Sequence, residues 1–132
     1  MVKALFDNNM PPAMAKAIHQ VVAVDGHEAW PLREKFDPNI SDLGLYRELG
    51  RENDWFVITK DRRQAKRPPE RQAILRSGVL AFFLAPSVEK QSMLQQTATI
   101  LWQWDKFVLQ RSQNANGLFI LPVNKGTRFR QL

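Results

Sequence analysis

Three aspartates stand where short apolar runs end or a helix begins, and they are the residues in this chain best suited to chemistry. Asp7 follows Val2–Phe6, Asp61 follows Trp55–Thr59 and Lys60, and Asp42 follows Ser41 at the start of an amphipathic stretch. Carboxylates gathered at one place repel each other, and a divalent cation relieves that repulsion. A site made only of oxygen ligands suits Mg2+ or Mn2+ rather than Zn2+, which prefers nitrogen and sulfur. Such an ion activates water and stabilises the leaving oxygen of a phosphodiester. Asp61 is followed by Arg62, Arg63, Lys66 and Arg67, a basic rim able to hold phosphate. Each acid also has a plainer role open to it. Asp7 could be a turn residue closing a strand, Asp42 a first-turn partner of the helix dipole, and Asp61 a loop acid paired with an arginine. Asp25, before Gly26, reads as a turn, and Asp37 and Asp54 as loop and turn residues.

The elements that would carry these residues follow from the pattern of the chain. Val2–Phe6 reads as a buried strand, and Pro11–Pro12 opens a helix to about Gln20. Val21–Val24 reads as a second strand ending in Asp25, and Gly26–Ile40 as loop with a short helix near Leu32–Phe36. Ser41 is the N-cap of a helix from Asp42 to about Glu52, with Leu43, Tyr46 and Leu49 on one face. Trp55–Thr59 is the third strand, Arg62–Arg67 a basic connector, and Pro68–Ser77 a helix that Gly78 ends. Val79–Leu84, apolar throughout, reads as a strand buried on both faces. Ser87 then caps a long helix to about Arg111, with a stripe of Leu94, Leu101, Trp104 and Val108. Leu118–Val123 is the fifth strand, and Thr127–Gln131 pairs with it as a hairpin over Asn124–Gly126. Alternating strands and helices mean an α/β fold with a mainly parallel central sheet flanked by helices. Right-handed crossovers distribute the helices over both faces, and the site belongs at the carboxyl ends of the strands.

Composition narrows the function classes. The 132 residues fit one domain, 1–132, and 44% hydrophobic content is enough for a core. No cysteine is present, which removes disulfides, thiolate metal sites and cysteine nucleophiles. No apolar run is long enough for a membrane helix and no signal peptide is visible, so a cytoplasmic protein without membrane attachment is expected. Residues 1–59 carry six Lys/Arg against nine Asp/Glu, and residues 60–132 thirteen against four. The net +6 is therefore −3 in the first part and +9 in the second, and a basic second part attracts nucleic acid.

The ordered pieces Leu5-Phe6-Asp7-Asn8-Asn9-Met10-Pro11-Pro12, Ile40-Ser41-Asp42, Trp55-Phe56-Val57-Ile58-Thr59-Lys60-Asp61 and Pro68-Pro69-Glu70 resemble PIN-like domains. The resemblance covers roughly the first 85 residues. It implies a three-layer PIN-like fold and a metal-dependent ribonuclease, with Asp7, Asp42 and Asp61 as catalytic ligands of Mg2+ or Mn2+. Asn8 or Asn9 would supply a neutral ligand or orient a water, and Lys60, Arg62, Arg63 and Arg67 would bind substrate. Many PIN domains add a fourth acidic residue, and no fourth aspartate is evident here. Compact members resemble toxins of toxin–antitoxin pairs that cut RNA, which implies an antitoxin protein partner and a homodimer.

The remaining candidates are weaker. His19 and His27 lack ligand spacing and read as structural. No glycine-rich phosphate loop and no Ser–His–Asp arrangement can be found. Trp102 and Trp104 sit on a helix of which one side must be core, leaving one tryptophan to face a partner. Arg128-Phe129-Arg130 is either an ordinary edge strand or a grip on single-stranded RNA through stacking and charge. A non-catalytic nucleic-acid or protein-binding module is the main rival to the enzyme. A phosphoacceptor receiver also clusters aspartates at strand ends, but it needs an acidic pair where this chain has Asp7-Asn8-Asn9.

Overall fold

A computed structural model describes residues 1–132. In chain order it contains β1 (Lys3–Phe6), α1 (Pro12–Val22), a 3-10 turn (Ala23–Asp25), β2 (Glu28–Pro31), α2 (Leu32–Lys35) and α3 (Asp42–Leu49). Then come β3 (Trp55–Thr59), α4 (Arg63–Lys66), α5 (Pro68–Ser77), β4 (Leu80–Leu84), α6 (Pro86–Glu89), α7 (Met93–Trp102), α8 (Trp104–Gln113), β5 (Gly117–Leu121) and β6 (Arg130–Gln131). The strands form one sheet in the order β2-β1-β3-β4-β5-β6, parallel except for β6.

Side-chain alternation along the strands builds two cores. Ala4, Phe6, Phe56, Ile58, Phe82, Phe119 and Leu121 point to the face covered by α1, α7 and α8. Leu5, Trp55, Val57, Ala81, Phe83, Leu118 and Ile120 point to the face covered by α3 and α5. Every residue of β3, β4 and β5 is buried, which is why these strands read as unbroken apolar runs. The α/β three-layer architecture expected from the sequence is what the chain adopts.

Ser41 caps α3 as expected, its Oγ accepting from the Gly44 N–H at 3.0 Å. Gly78, in the left-handed region at φ 77°, ends α5. Gly50 marks a close approach instead: a Cβ there would lie 2.4 Å from the Ser77 carbonyl, so only glycine lets the end of α3 pass the end of α5.

Four expectations are corrected. Val21–Val24 is not a strand. Met14, Ile18 and Val22 recur every four residues and bury one helical face, so helical periodicity overrides the β-branched composition. The second strand lies later, at Glu28–Pro31, and Asp25 therefore sits at the amino edge of the sheet, away from Asp7. The long helix capped by Ser87 is three helices. Ser92 and Gln95 form the capping box that starts α7, and Gln103 leaves helical geometry between α7 and α8. Its buried side chain instead donates to the carbonyls of Pro122 at 2.7 Å and Val123 at 3.3 Å. Leu94 is 76% exposed rather than part of the stripe, and Gln96, Ile100, Trp104 and Phe107 line the buried side. The hairpin connection runs from Pro122 to Phe129, longer than Asn124–Gly126, with Ile120 opposite Arg130.

The fourth correction concerns handedness. The links β3→β4 and β4→β5 step the same way across the sheet, but α5 lies on one face and α7–α8 on the other. The two crossovers therefore have opposite hands, against the uniform right-handed expectation. Coverage explains the exception. After β5 the chain makes a strand, not a helix, and α1 alone cannot shield the face presenting Phe56, Phe82 and Phe119. α8 closes that gap, with the Phe107 ring 4.7 Å from that of Phe82 and 5.3 Å from that of Phe56.

Candidate active site

The sheet order reverses between β1 and β3, and the crevice expected at such a switch point lies beyond their carboxyl ends. Asp7 leaves β1 there, and Thr59-Lys60-Asp61 leave β3 beside it. Asp7 is only 9% exposed. Its Oδ2 accepts from the Thr59 hydroxyl at 2.9 Å and from Gln64 Nε2 at 3.3 Å, and its Oδ1 from the Asn8 N–H at 2.8 Å. Behind Gln64, the buried Tyr46 hydroxyl donates to Gln64 Oε1 at 3.3 Å. Burial first, then the charges of Asp7, Asp42 and Asp61, push the Tyr46 phenol well above its usual pKa and keep it a donor.

Asp42 enters from α3. Burial is the first cause that raises its pKa, and the charges of Asp7, Asp61 and Glu70 add to it, against a lowering by Arg67. The acids thus act on one another across a single site. Asp61 is held from the basic side: its Oδ1 accepts from Arg63 Nε at 2.9 Å, and Arg67 lies 3.6 Å from its Oδ2. Arg67 also pairs with Glu70 at 3.4 Å.

Each residue singled out in the sequence has a definite place. Asp7, Asp42 and Asp61 share this end of the sheet. Asn9 is a strap between strands, its amide donating to Thr59 Oγ1 at 3.0 Å and its Oδ1 accepting from the Lys60 N–H at 3.1 Å. Asn8 points to the Pro38 carbonyl at 2.9 Å. Arg62 ties β4 to the site, donating to the Leu84 carbonyl at 2.9 Å and to Glu89 at 2.7 Å. Lys60 and Lys66 have no acid partner and, with Arg62 and Arg63, line an open polar groove beside Asp61. The histidines are structural: His19 accepts from the Ala29 N–H and His27 from the Val2 N–H. Trp104 is core and Trp102 is 67% exposed, so the pair divides as the sequence suggests.

Sequence reasoning missed Glu70, Gln64 and Tyr46. Glu70 is the fourth acid of the site, in the first turn of α5. It closes the Pro68-Pro69-Glu70 piece, where a glutamate in a helix's first turn does not stand out as a ligand. Gln64 and Tyr46 carried no signal, since a buried glutamine in a basic connector and a tyrosine on an apolar helix face both read as scaffold.

The donors suit a hard divalent cation. They are all oxygens, they carry mutually unfavourable charge, and Glu70 Oε2 is buried without a hydrogen-bond partner. No three of the acids close into a metal cage in this arrangement. Asp7 is turned toward Thr59 and Gln64, and Asp61 toward Arg63 and Arg67.

No curated protein and no solved structure matches the chain. A family model described as "PIN like domain" matches residues 2–86. The match takes in β1 through β4, and so all four acids of the site, over more than half of the sequence. The chain therefore belongs to the PIN-like domain family, a nuclease-type superfamily.

Proposed function

We propose that this chain is a Mg2+- or Mn2+-dependent endoribonuclease that hydrolyses RNA phosphodiester bonds as the toxin of a toxin–antitoxin pair. The observation that carries the reading is the gathering of Asp42 with Asp7, Asp61 and Glu70 at the switch point of a PIN-like sheet, where each of the other three raises the pKa of Asp42. Asp7, Asp42 and Asp61 would hold the ion, with Glu70 beside them. When bound, Mg2+ or Mn2+ supplies activation of water and neutralisation of charge on the leaving oxygen.

The chain's own residues do the rest. Thr59 and Gln64 fix the rotamer of Asp7, so that one carboxylate is set before substrate arrives. Lys60 and Lys66, free of acid partners, are the cations readiest to meet phosphate oxygens, and Arg62, Arg63 and Arg67 add their unused N–H donors. The toxin role rests on the resemblance of the Phe6-Asp7-Asn8-Asn9 and Thr59-Lys60-Asp61 pieces to compact PIN-like toxins. It brings an antitoxin protein, a homodimer and a cytoplasmic setting. No helix is long and apolar enough to cross a membrane. The second reading, a non-catalytic nucleic-acid or protein-binding module, is favoured by the arginine pairs on Asp61 and by the lack of a closed carboxylate cage.

The deciding experiment is cleavage of labelled RNA with Mg2+, with Mn2+ and with chelator, alongside Asp7→Asn. Cutting that needs the metal and disappears in a normally folded Asp7→Asn protein is the expected outcome. Full activity in Asp7→Asn would sink the metal-site assignment, and salt-sensitive RNA binding with no turnover in either metal would favour the binding module.

A further inference from the structure

The last 27 residues, Lys106–Leu132, contain five Lys/Arg and no Asp/Glu. All ion pairs of the molecule lie between Lys3 and Glu89, so this segment has none. Three of its five cations are already engaged. Arg111 is bound to main-chain carbonyls, and Lys125 sits 4.3 Å over the Trp102 ring. Lys106 donates to the carbonyls of Lys125 and Thr127 and lies 4.6 Å over the Phe129 ring. Those bonds pin the β5–β6 connection against α8. Arg128 and Arg130 remain, both exposed, on either side of buried Phe129, with no acid or carbonyl partner. Together with Lys106, Gln110 and Gln113 they line an open groove of about 680 Å³ whose floor is Phe119 and Phe129.

We propose that this groove binds a single-stranded stretch of nucleic acid leading away from the acidic site. The inference rests on the nuclease reading for the identity of its ligand. Cations left without counter-charge on a pinned segment form a site for an anion, and a groove lined by arginines and glutamines suits phosphates with base edges nearby. Position selects nucleic acid over an acidic protein. β6 runs antiparallel to β5 with Arg130 opposite Ile120, so Arg128 lies at the carboxyl edge of the sheet, the edge from which Asp61 leaves β3. Three strand spacings, about 14 Å at ~4.8 Å each, separate the two places, a span of a few nucleotides. Lys60, Lys66 and Arg62 begin the cationic path beside Asp61, and Arg62 pairs with Glu89, which lines the same groove. Phe129 is buried in the aromatic core and offers no face for stacking, so of the two readings of Arg128-Phe129-Arg130 the grip keeps only its charge. The interaction is therefore electrostatic and tolerant of sequence.

Binding of a fluorescent single-stranded RNA oligonucleotide by Asp7→Asn protein in chelator tests this without turnover. The comparison is with the same protein carrying Arg128→Gln and Arg130→Gln, its fold checked by thermal melting. The expected result is binding weakened about tenfold at moderate salt. The slope of log K against log salt should fall by about 1.4, or ~0.7 for each single-strand phosphate that an arginine no longer neutralises. Unchanged affinity and slope would overturn the proposal. Competition by polyglutamate as strong as by RNA of equal charge would also overturn it and give the groove to an acidic protein. Absence of cleavage by the wild-type protein, with the arginine-dependent binding intact, would fail the nuclease reading alone.

Discussion

Both edges of the parallel sheet carry partly buried polar side chains, and they use them in opposite ways. At the amino edge, Arg111 donates to the carbonyls of Trp55, Gly78, Asn114 and Ala115, just where β3, β4 and β5 begin. His27 and His19 accept backbone N–H groups beside β1 and β2. Each of these polar side chains is spent on the main chain. At the carboxyl edge, Asp42 carries a pKa raised by its burial and by three neighbouring carboxylates, and one oxygen of Glu70 is buried with nothing to accept from. A satisfied edge is scaffold. An edge that keeps unfavourable charge together is costly to the fold, and that cost is understandable if a ligand cation resolves it.

Breaking the carboxyl edge should remove activity and little else. Asp61→Asn is expected to lower kcat by about a thousandfold, some 4 kcal/mol of barrier, with a nearly unchanged melting temperature. Single-turnover cleavage and a thermal melt on one preparation check it. Breaking the amino edge should do the reverse. Arg111→Ala removes four hydrogen bonds to main-chain carbonyls and is expected to cost about 3 kcal/mol of stability, read by denaturant titration, while cleavage per folded molecule stays unchanged.

A subtler test turns on sign. A raised carboxyl pKa means that the folded state holds the Asp42 proton more tightly than the unfolded chain does. Stability therefore falls as pH rises, and the penalty is present above the folded pKa and gone in acid. Asp42→Asn is expected to raise the melting temperature by a few degrees at neutral pH, with the gain closing as pH falls, while cleavage is lost. A variant less stable than wild type at neutral pH would contradict the picture of a strained edge. The smallest effect belongs to Tyr46→Phe. It removes the hydroxyl that holds Gln64 at 3.3 Å, and the expected cost is about 1 kcal/mol of stability with cleavage reduced a few-fold at most.

Much of this was open to reading in the chain itself. Runs such as Trp55–Thr59 and Leu80–Leu84 are too apolar to be anything but buried strands, Ser41 and Pro68 announce helices, and parallel order follows from alternation. Asp7 and Asp61 were visible as candidates because a residue that ends a parallel strand must emerge at the carboxyl edge. Local signals misled where two periodicities competed, as at Val21–Val24, and where a polar residue served a distant carbonyl, as Gln103 does for Pro122.

The sequence by itself determined the strands other than β2, most helix starts and the acids at strand ends, because hydrophobic period and capping chemistry act over a few residues. Only the tertiary structure decided that Glu70 joins Asp42, that Gln64 and Tyr46 stand behind Asp7, and that α8 crosses on the face left open beside α1. Those arrangements depend on which faces remain uncovered once the sheet has formed, and no local stretch of chain carries that information.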